Sequence, residues 1–363
     1  MGLHTDTWVR VKTGPTTVTE RIASGRGLKQ GCVLAPLLFN LYTADLPLAL
    51  KDRSLAPPKI GPVPIQILQY ADDTVILDRT RVGLQRSLDA LGVYNLKNDL
   101  IINRAKTKVL ILGKRKCKKA LKWQLGPDSI DTCRKYKYLG VWFSEDGKPG
   151  AHLDCLSRKA VAVSGGLLKL HHKLNSPSAL NILQVTKSVL IPSLRYGHLA
   201  YPGKMDALLE KSNYGTHKKL FALPRYTLKA KVCLELGLLN QELVSLADML
   251  KYYLACSRAP ENSLKAKLLF LFGRSAKVVS GAEDNPWRKF LDLAILKLQV
   301  VEPSLDLLYI PLSEWKRVIK NQVAFLSREA YLEQLPKNAL TEAFSASLRD
   351  KVYQSYLGDS LNK

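Results

Sequence analysis

Near residue 149 the hydrophobic period of the chain changes. Before it, β-branched and apolar residues come in short runs broken by Gly, Pro, Asp and Asn, the pattern of strands and turns. After it, apolar positions recur at helical spacing to the end of the chain. No single layer satisfies both periods. The chain is therefore read as α+β in its first part and all-α in the rest. Helices are expected over 151–174, 178–194, 204–221, 240–258, 286–299, 312–333 and 338–356. Pro192, Pro202, Pro224, Pro260, Pro286 and Pro311 punctuate them, and GRSAKVVSGAEDNP at 273–286 reads as a soft linker.

Within the first part, VRVKT and TTVTERI alternate like hairpin strands. In RGLKQGCVLAPLLFNLYTADLP, Gly27 and Gly31 bracket a basic loop, and Pro36 suits the first turn of a helix. Leu37, Leu38, Leu41 and Tyr42 give that helix an apolar face, and Pro47 ends it. Residues 82–98 form an amphipathic helix with Leu84, Leu88, Leu91 and Leu96 on one face. KYKYLGVWFSEDG reads as a second small hairpin.

QYADDTVIL, residues 69–77, places Asp72 and Asp73 side by side between two β-rich runs. Ala-Asp-Asp fits only a tight turn between IQILQY and TVIL. Two carboxylates there repel unless a cation is near, and hard oxygen donors suit Mg2+. Taken alone, the dipeptide also fits an ordinary solvated acidic turn.

With Lys plus Arg at 55 and Asp plus Glu at 31, the formal charge is +24. That excess favours a polyanionic partner, nucleic acid before membrane. No run approaches the ~20 apolar residues of a membrane span. The six cysteines form no CxxC pair and read as reduced thiols of an intracellular protein, nuclear or cytoplasmic. His152 and Cys155, in HLDC, have no second half-site for zinc.

Taken in order, RGLKQGCVLAPLLFNLY, QYADDTVIL, INRAKTKVLIL and YKYLGVWF resemble the reverse transcriptase palm of a LINE-type, non-LTR retrotransposon over about residues 15–145. THKKLFALPRYT and LELGLL, within 216–240, resemble the region that follows the palm in LINE-like polyproteins. The resemblance implies a partial palm over 1–145, a helical thumb-like region over 146–272 and a C-terminal helical region over 273–363. It implies RNA-directed DNA synthesis, with RNA template, DNA primer and dNTP as partners and Mg2+ as cofactor where the site is complete. Asp72 would bind the metal, with Asp73 as its neighbour. Gln30 and Gly31 would meet the template and nascent pair. Asn103, Lys106 and Thr107 would lie near the triphosphate, with Lys106 neutralising or protonating pyrophosphate. Tyr138, Leu139 and Gly140 would grip the primer end. The oligomeric state is left open.

The family also uses an Asp on a strand before the RGLKQG block, and fingers upstream of it. The 25 residues before Arg26 hold no such segment, and Asp6 has no apolar run before it. The expectation is a 5′-truncated product whose polymerase site is short of one carboxylate and inactive alone. Loss of that strand should leave a sheet edge and apolar surface open. A non-enzymatic RNA- or DNA-binding remnant is the alternative, resting on the charge and on KRKCKK at 114–119. In it Trp123, Tyr136, Tyr138 and Trp142 serve either as stacking surfaces or as plain strand core. A protein-interaction scaffold built by the amphipathic helices is a third reading.

Overall fold

The computed structural model describes residues 8–15, 17–23, 31–113, 122–174, 178–272, 285–298 and 312–335. Gln30, the basic run 114–119, most of the expected linker and the expected helix 338–356 lie outside the described residues. The chain divides into two compact units. The first comprises residues 1–59, 64–107 and 122–130, and the second 60–63, 108–121 and 131–363. The expected segment boundary at 145 falls inside the second unit, which therefore includes the YKYLGVWF hairpin.

In the first unit, β1 (Trp8–Val9) pairs antiparallel with β2 (Ile22–Ala23), as the alternation around them predicts. Helix α1 (Ala35–Tyr42) carries Pro36 in its first turn. Pro47 does not end this helix. The helix stops at Tyr42, and Pro47 opens a second short helix, α2 (Leu46–Ala49). The fixed φ of proline and its missing N–H suit a helix start as well as a stop. Further along the chain, β3 (Lys59–Ile60) pairs with β4 (Val63–Pro64), residues 60–63 of this pair being assigned to the second unit.

Strands β5 (Ile67–Tyr70) and β6 (Asp73–Ile76) form the Asp-Asp hairpin. Its register sets Ile67 opposite Ile76, Leu68 opposite Val75, Gln69 opposite Thr74 and Tyr70 opposite Asp73. Ile67 and Ile76, at the base, pack with Leu46, Leu50 and Tyr94 in the core of this unit. Burial of the base and exposure of the tip follow from this register. Among the described residues the sheet has only these two strands, so both present open edges. No residue of α1 is buried, and Leu34, Leu37 and Leu41 stand exposed.

The hairpin leads into α3 (Arg81–Lys97), capped by the Thr80 hydroxyl, which accepts the Gly83 N–H at 3.1 Å. Asp78 fixes this corner. Its carboxylate accepts from the Ser54 hydroxyl, from the Leu55 N–H at 2.9 Å and from the Thr80 N–H at 2.6 Å. Partial burial works to raise the Asp78 pKa, but these hydrogen bonds outweigh it and hold the carboxyl at about 2. Gly83 is required by the same contact, since a Cβ there would meet Asp78 Oδ2 at 2.2 Å. Leu96, expected on the buried face of α3, is 78% exposed. Tyr94 takes the core position instead, its hydroxyl donating to Asp45 Oδ1 at 2.5 Å.

Strand β7 (Val109–Leu110) belongs to the second unit, whereas β8 (Trp123–Leu125) and β9 (Asp128–Ile130) return to the first. The Gln85 side chain of α3 acts as a strand edge for β8. Its Nε2 donates to the Gln124 carbonyl at 2.9 Å, and its Oε1 accepts the Gln124 N–H at 3.1 Å. Trp123 is only 2% exposed.

In the second unit β7 pairs in parallel with β10 (Thr132–Cys133), and β11 (Lys135–Tyr138) forms the expected hairpin with β12 (Val141–Ser144). Helices follow: α4 (Gly150–Lys173), α5 (Ala179–Arg195), α6 (Asp206–Leu220), α7 (Lys229–Glu235), α8 (Gln241–Ser257), α9 (Leu264–Lys267), α10 (Pro286–Lys297) and α11 (Leu312–Leu332). Ser178, Asn240 and Asn285 cap α5, α8 and α10 with their side-chain oxygens, the signal by which such starts are read. Pro192 lies inside α5, near its end, and does not separate two segments. Leu156, Leu190, Leu194 and Leu209 bind α4, α5 and α6 into one core. Leu246, Leu250, Leu291 and Ile319 do the same for α8, α10 and α11.

His217 is buried in this helical unit, its Nδ1 paired with the Asn213 carbonyl at 2.8 Å. Burial lowers its pKa to about 4, against the opposing pull of that carbonyl. Its unfolded value is near 6.5, so the unfolded chain takes up the proton first as pH falls. Folding stability should therefore drop between about pH 6.5 and pH 4, by roughly 3 kcal/mol for this group. Denaturant titrations at stepped pH should show this slope, and His217→Phe should flatten it.

Among the described residues no helix is long and apolar enough to cross a membrane. Cys32, Cys133, Cys155, Cys233 and Cys256 are free. No cluster of three metal-ligating side chains occurs among the described residues. His152 of HLDC is a buried histidine whose Nδ1 accepts the Trp142 N–H at 3.5 Å.

Candidate functional site

The acidic hairpin has a two-residue turn, Ala71–Asp72, so Asp72 occupies the tip and Asp73 begins β6. The turn expected over Ala-Asp-Asp contracts to two residues because Tyr70 and Asp73 close the ladder as a pair. Ala71 adopts φ 50°, a left-handed conformation that costs an L-residue roughly 1–2 kcal/mol. Both aspartates are exposed. Among the described residues neither carboxylate has a hydrogen bond or an ion pair. Two hard oxygen donors thus face solvent at the end of a strand pair anchored at its base by the Leu46, Leu50 and Tyr94 core.

Asn103, Lys106 and Thr107 build one turn in the same unit. The Asn103 carbonyl accepts the N–H groups of Lys106 at 3.2 Å and Thr107 at 3.0 Å, and the Thr107 hydroxyl at 2.9 Å. Asn103 Oδ1 also accepts the Lys106 N–H at 3.2 Å. Asn103 therefore shapes the backbone of this turn with both of its oxygens. Arg104, between them, pairs with Asp128 of β9 at 2.5 Å and ties the turn to its unit. The side chain of Lys106 is exposed. Gly31 has φ 84° with open space around the position of a Cβ. Backbone conformation, and no internal neighbour, is what demands glycine there.

Tyr138, Leu139 and Gly140 belong to the second unit. Leu139 and Gly140 form the two-residue turn between β11 and β12, with φ 44° and φ 82°. Positive φ at both central residues is the pattern of a type I′ turn, for which Leu at the first position is unusual. Tyr196, which follows α5, explains how the turn persists. Its hydroxyl donates to the Leu139 carbonyl at 2.7 Å, and its ring lies where a Cβ on Gly140 would sit, 2.7 Å from Cε1. No motif in the sequence points to Tyr196; the contact spans 57 positions. Gly140→Ala should destabilise the second unit by more than about 1 kcal/mol, from positive φ and the clash together, as chemical denaturation would measure.

The aromatics downstream of the basic run divide. Trp123 is core, as one reading of the sequence holds. Trp142 is only half-buried and faces a cavity at its side.

Residues 5–143 match the family described as reverse transcriptase (RNA-dependent DNA polymerase). Among curated relatives, the chain is similar to a Pol polyprotein from the type-1 retrotransposable element R2 of Popillia japonica, at 26% identity over 54% of this chain and 27% of that protein. It is also similar to the Pol polyprotein of the type-2 retrotransposable element R2DM of Drosophila melanogaster, at 29% identity over 52% of this chain and 18% of that protein. A third relative is the RNA-directed DNA polymerase from the mobile element jockey of Drosophila melanogaster, at 27% identity over 48% of this chain and 19% of the relative. The matched part spans about a quarter or less of the length of these relatives. The matched span contains all four ordered sequence blocks, the acidic hairpin, and the β11–β12 hairpin up to its last residue, Ser144. Over residues 5–143 the chain thus matches the reverse transcriptase family, and the relatives it is similar to come from the retrotransposable elements R2 and jockey.

Proposed function

We propose that this domain serves RNA-templated DNA synthesis, transferring a deoxynucleotidyl unit from a dNTP to a primer 3′ hydroxyl with release of pyrophosphate. The observation that carries the reading is the Asp72–Asp73 tip: two unengaged carboxylates at the end of an anchored hairpin, inside a matched reverse transcriptase domain. Such oxygens fit two of the ligands of a Mg2+ site. Among the described residues no third His, Cys, Asp or Glu groups with them, and a complete Mg2+ site needs further oxygen donors. Bound there, Mg2+ supplies charge neutralisation for the triphosphate and acidifies the primer hydroxyl.

The remaining roles belong to this chain. Asp72, at the tip, holds the metal, and Asp73, locked opposite Tyr70, sets the direction of the tip. Lys106 offers its ammonium to the departing pyrophosphate, carried on the turn that Asn103 shapes and Thr107 closes. Gly31, with Gln30 beside it, meets the template and the nascent pair. Tyr138, Leu139 and Gly140 hold the primer end on a turn buttressed by Tyr196.

The +24 charge favours a second reading, nucleic-acid binding without synthesis. Primer extension on poly(rA)–oligo(dT) with Mg2+ or Mn2+, beside RNA affinity titrated against salt, separates the two. Incorporation that Asp72→Asn with Asp73→Asn abolishes supports synthesis. Salt-sensitive binding with no incorporation, even when an upstream reverse transcriptase segment is added, supports binding alone.

A further inference from the structure

The hairpin formed by β11 and β12 has a second, chemically distinct face. Lys137 and Trp142 are cross-strand partners, and Lys135 stands opposite Ser144, so these four side chains share one face. On α4, Ala151, Asp154 and Arg158 recur at helical spacing and turn toward the same space. Between them lies a cavity of about 450 Å3, lined by Lys135, Trp142, Asp154, Ser157 and Arg158. That volume falls in the range that holds a small ligand.

The backbone that carries the indole is held from behind through both of its polar groups. The Trp142 N–H donates to Nδ1 of buried His152 at 3.5 Å, and its carbonyl accepts the Tyr201 hydroxyl at 2.9 Å. Lys135 Nζ lies 5.8 Å from the ring centroid. Among the described residues, Lys135, Lys137 and Arg158 have no ion pair and no side-chain hydrogen bond. Among the described lining residues two cations, Lys135 and Arg158, face one carboxylate, Asp154, and Lys137 stands beside them on the same face of the hairpin. An aromatic face beside uncompensated cations suits a ligand that is flat at one end and anionic at the other.

We propose that this cavity binds one unpaired nucleotide of a nucleic-acid strand, its base on Trp142 and its phosphates on Arg158, Lys135 and Lys137. A base within a duplex already has both faces stacked, so the ligand is single-stranded. Ser157 supplies a hydroxyl for a phosphate oxygen or for the sugar. The site rests on the proposed nucleic-acid function and adds to it a place where the strand is gripped away from the Leu139–Gly140 turn.

The test uses the full chain with fluorescein-labelled oligo(rU) and oligo(dT) ten-mers, read by anisotropy over a salt series. Trp142→Leu should weaken binding roughly 5- to 100-fold with an unchanged salt slope, as loss of one stacked base predicts. Trp142→Phe, which keeps a ring, should stay within about threefold of the parent chain. Arg158→Gln should reduce the slope of log affinity against log salt by about one. Preference for oligo(rU) assigns the site to an RNA strand, and preference for oligo(dT) to DNA. Phe as damaging as Leu at position 142 overturns the stacking. Unchanged binding in both Trp142→Leu and Arg158→Gln overturns the site but leaves nucleic-acid binding elsewhere on the chain. A parent chain that binds neither oligomer at low salt removes the site together with the function it rests on.

Discussion

In any assembly that extends a primer, the full chain alone or with the segment that completes its site, Asp72→Asn lowers incorporation by about 10³-fold or more. The size follows from the several kcal/mol that a metal at the reacting phosphate contributes to the transition state, at 1.36 kcal/mol per tenfold. Asn keeps the shape and one oxygen of the side chain but loses the charge that a hard cation needs. Asp73→Asn should cost less, since Asp73 sits in the strand opposite Tyr70 while Asp72 occupies the turn. Binding gives the control. Both aspartates are exposed and without side-chain partners among the described residues, so neither substitution disturbs the core. RNA affinity and its salt slope should stay the same or rise slightly, because a negative charge has been removed from a surface that meets phosphates. Incorporation that survives in the double variant would remove the hairpin tip from the chemistry.

Asp248→Asn should destabilise the second unit by roughly 3–5 kcal/mol, the range for breaking one partner out of a buried ion pair. Asp248 Oδ2 accepts from Arg195 Nη2 at 2.5 Å and lies 3.3 Å from His198 Nε2, while Lys251 approaches Oδ1 at 3.4 Å. The Arg195 side chain is only 11% exposed and that of Asp248 29%. Arg195 also donates to Gln241 Oε1 at 3.2 Å, so this cluster pins the end of α5 to the first half of α8. Burial works to raise the Asp248 pKa. The hydrogen bond to His198 and the charges of Arg195 and Lys251 outweigh it and hold the carboxyl well below the usual range. The sign of the pH effect follows. A depressed carboxylate contributes fully above its unfolded value near 3.9, and the contribution is lost as pH falls toward its folded value. Urea midpoints of the parent and Asp248→Asn chains should differ fully at neutral pH and draw together progressively as pH is lowered from about 4. Arg195→Met combined with Asp248→Leu should recover much of the loss, since it leaves no buried charge unpaired. A double variant as unstable as the sum of the singles would mean that the cluster acts through packing and not through charge.

Much of this molecule could be read before it was seen. The helices over 151–174 and 178–194 emerge as α4 and α5 with ends shifted by a residue, because amphipathic period and Ser178 agree. Both hairpins appear where β-branched and aromatic residues flank a short polar or glycine turn. Prolines misled, since Pro47 and Pro192 occupy helical positions that one fixed φ allows. The short α7 escaped because seven residues carry too little period to count. Leu96 was assigned to a buried face by spacing alone, whereas Tyr94 takes the core position against Leu46 and Leu50 and Gly92 lies against Gly126 in the turn between β8 and β9. At the candidate site, the acidic turn was legible as a local motif, whereas Asn103, Lys106 and Thr107 were marked only by the family resemblance. The Tyr196 buttress and the Trp142 cavity were not legible, because each joins segments distant in the chain and neither has a local pattern.

The interleaving of the two units also sets an order of events on the ribosome. Helix α3 leaves the exit tunnel before β8 and β9, the strands that cover it. Until residue 130 has emerged, the first unit lacks the complete β8–β9 pair that carries Trp123, one of its most deeply buried side chains. By then β7 has already been made, and it must wait for β10 before it has a neighbour. The acidic hairpin is thus synthesised early but gains its finished surroundings late. A nascent chain arrested near residue 107 would carry Asp72 and Asp73 on a scaffold still missing one of its walls.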